Sequence, residues 1–184
     1  MFVTISPTLC AKCADFGARV VANHKANSTT RANGASVKSG KDIYSDANFQ
    51  AGARAGEVAA CVALGIDPLT ALNWDDQPDG GEDFKVGKWS VDVKTSTHQR
   101  AEYLIWPKTK MPLLGECADI LMLVKITVLD HGEVEGEICG WQWSKMFRRD
   151  AKMARGIKSI VDGQPVMHKR DLRPVEDIIS YFAA

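Results

Sequence analysis

Asp92-Val93-Lys94 sets an acid and a lysine two residues apart, inside a stretch from Gly81 to Ser96 that reads as a β-hairpin. Val91 and Val93 alternate with Ser90, Asp92 and Lys94, the period-2 pattern of a half-buried strand. In a strand, residues i and i+2 share a face, with Cα atoms about 6.7 Å apart. Asp92 and Lys94 are therefore expected to project together, with Trp89 and the two valines on the opposite face. A carboxylate can hold a hard cation, and an ammonium beside it can hold a water or a phosphate oxygen. That pairing suits phosphodiester hydrolysis. A second acid, Asp83, stands at the head of the same hairpin.

Spacing by itself does not make a site. Acid-x-Lys occurs at Asp83-Phe84-Lys85, Asp92-Val93-Lys94 and Asp150-Ala151-Lys152, and an isolated triplet reads as a salt-bridging surface. The middle triplet differs in its setting. It lies on a strand, follows a tight turn at Val86-Gly87-Lys88, and has Asp75, Asp76, Asp79, Glu82 and Asp83 just upstream. Asp150-Ala151-Lys152 sits in a basic, helix-like run and reads as surface.

A fourth residue joins from the segment 50–64, helical by its alanine content and ended by Gly65. Arg54 and Glu57 are its charged residues. Glu57 shares a helical face with Ala53, Ala60, Cys61 and Leu64, and the opposite face is apolar too. A helix apolar all round is usually buried, and a carboxylate in it needs a cation, metal or donor. Two readings stay open: an Arg54–Glu57 pair on the helix, or Glu57 aimed at the same metal site as the hairpin acids.

The helix acid after Gly52-Ala53-Arg54-Ala55-Gly56, the Asp83-Phe84 pair and the hairpin strand ending Asp92-Val93-Lys94-Thr95 together resemble the PD-(D/E)XK nuclease superfamily. The small phage and prophage members are the nearest in kind. The likeness continues through Ala118-Asp119 and its apolar strand, Gly140-Trp141, and Leu172 to Asp177, covering about residues 50–178. It implies an α/β restriction-endonuclease-like fold, a mixed central β-sheet flanked by helices. It also implies an Mg²⁺- (or Mn²⁺-) dependent endonuclease acting on DNA. Position by position, Asp83 matches the first acid, Asp92 the second, Lys94 the lysine and Glu57 the helix acid. Asp83, Asp92, the Val93 carbonyl and Glu57 would hold the metal, and Lys94 would orient the attacking water. A literal Pro78-Asp79 makes Asp79 the alternative first acid; Asp83 is preferred because Phe84 and Val86 give it a strand edge, whereas Asp79-Gly80-Gly81 reads as loop. Cutting both strands is simplest for a homodimer.

The whole chain agrees with one nuclease-like domain, 1–184. Its 184 residues and 45% hydrophobic content suffice for a sizeable core. No apolar run approaches the roughly 20 residues that span a bilayer, so no membrane partner is expected. No secretory signal is read at the N-terminus. Five irregularly spaced cysteines suit reduced thiols, which points to the cytoplasm of a bacterium or phage-infected host. Formal net charge is zero, yet charge is uneven: residues 145–158 carry six Lys/Arg against Asp150. A basic flank beside an acidic centre is what a phosphate-binding enzyme needs.

Residues 8–25 read as a helix, and 26–41 as a flexible basic loop or arm whose Arg31, Lys38 and Lys41 are candidates to meet DNA. Thr95 and Ser96, just past the lysine, and Arg148 and Arg149 in the basic run are further candidates for nucleic-acid contact. Strands are expected at Tyr103–Pro107, Ile120–Leu129 and Val134–Trp143, the last two joined by a turn at Asp130–Gly132. A basic helix over about 144–155 and a C-terminal helix Val175–Phe182 complete the chain. Trp141 and Trp143 share a strand face and read as core or interface. Cys10 and Cys13, at helical spacing, read as core or interface thiols rather than half of a zinc site. Two rival functions remain: a non-catalytic nucleic-acid-binding module on the same fold, and a zinc-dependent interaction protein built on those two thiols.

Overall fold

The computed structural model describes residues 1–27, 46–75, 82–98, 102–129, 133–158 and 160–182. Arg31, Lys38, Lys41, Asp79 and the Asp130–Gly132 turn lie outside the described residues, as does the expected basic loop except for residues 26 and 27, which end the first helix.

The elements run β1 (Phe2–Ile5), α1 (Pro7–Asn27), α2 (Ala47–Ala63), α3 (Pro68–Ala71), β2 (Phe84–Val86), β3 (Trp89–Ser96), β4 (Tyr103–Ile105), β5 (Ile120–Val128), β6 (Val134–Trp143), α4 (Ser144–Asp150), β7 (Lys152–Met153), β8 (Pro165–His168) and α5 (Val175–Phe182). The main sheet is mixed, in the order β1-β6-β5-β3-β2. β3 and β5 run parallel, and the other neighbours are antiparallel. A smaller antiparallel sheet is ordered β4-β8-β7. The protein is thus α/β, with a mixed central sheet and helices. Among the described residues, no helix is long and apolar enough to cross a membrane.

Local chemistry explains the pieces that place the site. α2 is capped by Asp46, whose carboxylate accepts from the Asn48 and Phe49 amides, satisfying donors the first turn leaves open. Its alanines bury against the sheet with Val58 and Cys61. Gly56 lets it settle there, because a Cβ at that position would overlap the Thr95 hydroxyl on β3. The β2–β3 hairpin turns at Gly87-Lys88, where Gly87 takes φ 58°, a conformation glycine adopts without strain.

Both faces of the main sheet are covered. Val91, Val93, Ile120, Met122 and Val124 point into the core beneath α2. Leu121 and Leu123 point the other way, toward Leu104, Trp106, Phe147 and Met167. That second layer departs from the sequence expectations. The helix expected over 144–155 stops at Asp150, because Ala151 turns extended (φ −61°, ψ 138°) and Lys152–Met153 pairs with β8 as β7. The strand expected over Tyr103–Pro107 is Tyr103–Ile105, since Pro107 opens a 3₁₀ turn over Lys108–Leu113. β1, an edge strand on β6, was not expected at all.

Candidate functional site

β3 carries the centre of the site. Its register with β5 pairs Asp92 with Leu121 and Lys94 with Leu123, so both charged side chains face the second layer while Val91 and Val93 face α2. Asp92 is buried at 7% exposure, and its carboxylate forms an ion pair with the partly exposed Lys94 ammonium. The predicted acid–lysine juxtaposition is present, but on a covered face rather than a solvated one.

Asp83 joins from the edge. β2 pairs with β3 only as far as Val91, and Asp83, the residue before β2, carries the contact onward. Its amide donates to the Val91 carbonyl at 2.8 Å, and its Oδ2 accepts from the Val93 amide at 2.6 Å. The amide and carbonyl of one strand residue point to the same edge, so the Val93 carbonyl also faces this edge. The hairpin thus brings Asp83 to β3; its alternative, Asp79, lies outside the described residues.

Glu57 arrives from the opposite face of the sheet, on α2. It pairs with Arg54 at 2.5 Å, and both side chains are largely buried. Arg54 lies 4.0 Å from the Phe16 ring centroid and 5.6 Å from that of Trp74, a cation held against two aromatic faces. Glu57 nevertheless acts on the hairpin. Burial, then Glu57, then Asp92 push the Asp83 carboxyl well above the usual carboxylate range, against the opposing pull of Lys94 and the Val93 amide. The Arg54–Glu57 pair is present, and the charge of Glu57 also raises the Asp83 carboxyl.

Lys94 experiences the reverse balance. Burial works to lower its pKa, but Asp92, Asp83 and Glu57 outweigh that and hold it above the ordinary lysine value. Its ammonium also lies 4.7 Å from the ring centroid of Trp106, a buried side chain of the second layer whose backbone amide donates to Pro165 on β8. Trp106 is the member the sequence did not point to, because the contact depends on how the smaller sheet folds over β3; Arg54 was legible from its spacing to Glu57.

The candidate ligands Asp83, Asp92, Glu57 and the Val93 carbonyl are all oxygen donors, which fits a hard cation rather than zinc. Among the described residues, no group of three or more His, Cys, Asp or Glu stands ready-made as a metal cluster. Each acid instead has a positive or donating neighbour from the chain itself: Arg54 for Glu57, Lys94 for Asp92, and the Val93 amide for Asp83. Asp83, whose proton affinity burial and the charges of Glu57 and Asp92 raise, is the acid that a divalent ion would relieve.

The outlying candidates vary. The Thr95 hydroxyl donates to the Ala53 carbonyl at 3.2 Å and so ties β3 to α2. The Ser96 hydroxyl oxygen accepts from the His98 amide at 3.2 Å. Arg148 and Arg149 are exposed on α4, and Arg149 makes a two-pronged contact with Asp150 at 2.6 and 2.8 Å. Cys10 and Cys13 pack in the core: the Cys10 thiol donates to the Ile5 carbonyl, and burial pushes Cys13 up to about 12. No family model, curated protein or solved structure matches the chain.

Proposed function

We propose that this protein is a metal-dependent deoxyribonuclease, an endonuclease of the PD-(D/E)XK kind with a restriction-endonuclease-like arrangement, similar to small phage and prophage members. One observation carries the reading. Asp83 reaches the middle of β3, its Oδ2 accepting from the amide of Val93, which stands between Asp92 and Lys94, themselves an ion pair on one face.

Asp83, Asp92, the Val93 carbonyl and Glu57 would hold Mg²⁺ or Mn²⁺. When bound, that ion supplies charge neutralisation at the phosphate and a more acidic water. Lys94 keeps its proton, since three acids hold it in the ammonium form, and so serves as a donor. It orients the attacking water and places positive charge where the pentacovalent phosphorane's oxygens become more negative. Trp106 and Asp92 restrict the range of the ammonium, which favours one geometry over many. Arg148 and Arg149, on the face of the sheet that bears Lys94, offer exposed charge to flanking phosphates. A twofold homodimer would present two such sites to a duplex.

The rival reading is a non-catalytic module in which the cluster is a structural ion network, favoured by the way Arg54–Glu57 and Lys94–Asp92 each close as pairs. Incubation with plasmid and with single-stranded circular DNA separates the two. Cleavage is expected with Mg²⁺ or Mn²⁺, none in EDTA, and none from Asp92→Asn. Absence of cleavage on both substrates, together with no thermal upshift by Mn²⁺, would favour the structural network.

A further inference from the structure

Away from the acids, at the end of the main sheet where β3 begins and β6 ends, a cavity of about 330 Å³ is lined by Trp89, Trp143, Tyr181, Asp119, Lys145 and Met146, among others. Trp143 meets Trp89 at 5.0 Å between centroids and 67° between planes, and meets Tyr181 at 6.2 Å and 86°. These are edge contacts, so no ring in the group stacks flat on another.

Cations stand against these rings and at the cavity wall. The Lys88 ammonium lies 4.8 Å from the Trp89 ring centroid, and the Arg173 guanidinium 5.9 Å from that of Tyr181. Lys145 is exposed and forms no ion pair among the described residues. Asp119 is the one acid lining the cavity, and its Oδ2 already accepts from the Ser90 amide at 3.1 Å and the Ser90 hydroxyl at 3.0 Å. Aromatic faces interleaved with cations are the chemistry that holds single-stranded nucleic acid: bases stack on the rings, and phosphates meet the charges. A duplex keeps its bases stacked and cannot fill such a cavity. A purely apolar occupant would leave Lys145 at the cavity wall without a partner.

We propose that this cavity seats an unpaired base of a single nucleic-acid strand, with Lys88 and Lys145 meeting the adjoining phosphates. Trp89 precedes Asp92 by three residues, about 10 Å along β3 but on the opposite face, so a strand seated in the cavity reaches the acids by passing round the sheet edge. This extends the hydrolase reading by naming single-stranded or locally unpaired DNA as the substrate, and rests on that reading for this consequence; binding can be measured without it.

The test is a fluorescence titration of the full chain in EDTA, with oligo(dT) and with a hairpin duplex of equal length. Oligo(dT) is expected to quench tryptophan emission and to bind about tenfold more tightly than the duplex. Tyr181→Ala should weaken oligo(dT) binding about tenfold. Lys145→Ala should lower the slope of log affinity against log salt by about 0.7. Both positions are exposed, so both variants are expected to fold. Failure to bind oligo(dT), equal binding of the duplex, or wild-type behaviour of both variants would overturn the proposal. Selective binding by a protein that cleaves nothing would leave this site standing and remove the nuclease reading; cleavage without single-strand binding would do the opposite.

Discussion

Asp92-Val93-Lys94 and Asp150-Ala151-Lys152 have the same spacing, and the fold treats them in opposite ways. The first lies wholly on a central strand, so both side chains fall on one face, beneath Trp106 and beside Leu121 and Leu123. The second straddles the end of α4 and the start of β7, so no shared periodicity aligns its two groups. Asp150 is exposed and taken by Arg149, whose hydrogen bonds hold its carboxyl below the ordinary value. Lys152 stands exposed. Solvent screens the outer groups, whereas the inner ones interact through a low-dielectric medium in which charge differences act strongly. A triplet becomes a site when one backbone element holds both groups where water is scarce.

Four experiments can break or sharpen that contrast. Lys94→Met keeps the stem against Trp106 and removes the charge; metal-dependent cleavage should fall by about 10³-fold, while Lys152→Met leaves it unchanged. Equal losses would end the distinction between the triplets. Glu57→Gln leaves Arg54 buried without its counter-charge, which should cost on the order of 3 kcal/mol of metal-free stability. Because upshift follows affinity, the Mn²⁺ thermal shift should shrink as well. Melting curves with and without Mn²⁺ read both effects, and an intact Mn²⁺ shift would take Glu57 out of the site.

Trp106→Leu removes the ring over Lys94, and kcat/KM should drop about tenfold. Trp106→Phe should retain most of the activity with no loss of stability, since it removes a buried indole N–H that has no hydrogen-bond partner among the described residues. Amine-reactive labelling of Lys94 provides a second readout: faster labelling in Trp106→Leu alone supports a positioning role.

The smallest effect concerns pH. With its pKa raised in the fold, Asp83 keeps a proton at pH values where the unfolded chain has released it. Stability of the metal-free protein should therefore fall as pH climbs above 3.8 toward the raised value. Asp83→Asn should flatten that decline in urea melts performed in EDTA. A decline of unchanged steepness would assign the titration to another group.

Much of the fold could be read directly from the chain. β6 and α5 have the bounds their patterns predict, Val134–Trp143 and Val175–Phe182, because each is a continuous run with one dominant periodicity. The Gly87-Lys88 turn and the α2 helix were legible for the same reason. The short strands were not. β7 and β8 span only Lys152–Met153 and Pro165–His168, too few residues to show an alternation, and they exist because they pair with each other and with β4. The over-long helix at 144–155 follows from the same blindness: helical propensity past Asp150 lost to a ladder with a partner distant in sequence.

The sequence by itself determined the side of β3 on which Asp92 and Lys94 stand, the turn that brings Asp83 back toward them, and the acids and lysine as the candidate residues. These follow from periods of two and 3.6 residues and from glycine's conformational freedom, which act over a few neighbours. Tertiary structure decided the rest. It set α2 close enough through Gly56 for Glu57 to act across the sheet edge on Asp83, and gave Glu57 to Arg54 as a partner. It also laid Trp106 over Lys94, turning a face that alternation alone would leave to solvent into a covered one. Proton affinity and charge coupling depend on what desolvates a group and which charges lie nearby, and those neighbours come from segments far apart in the chain.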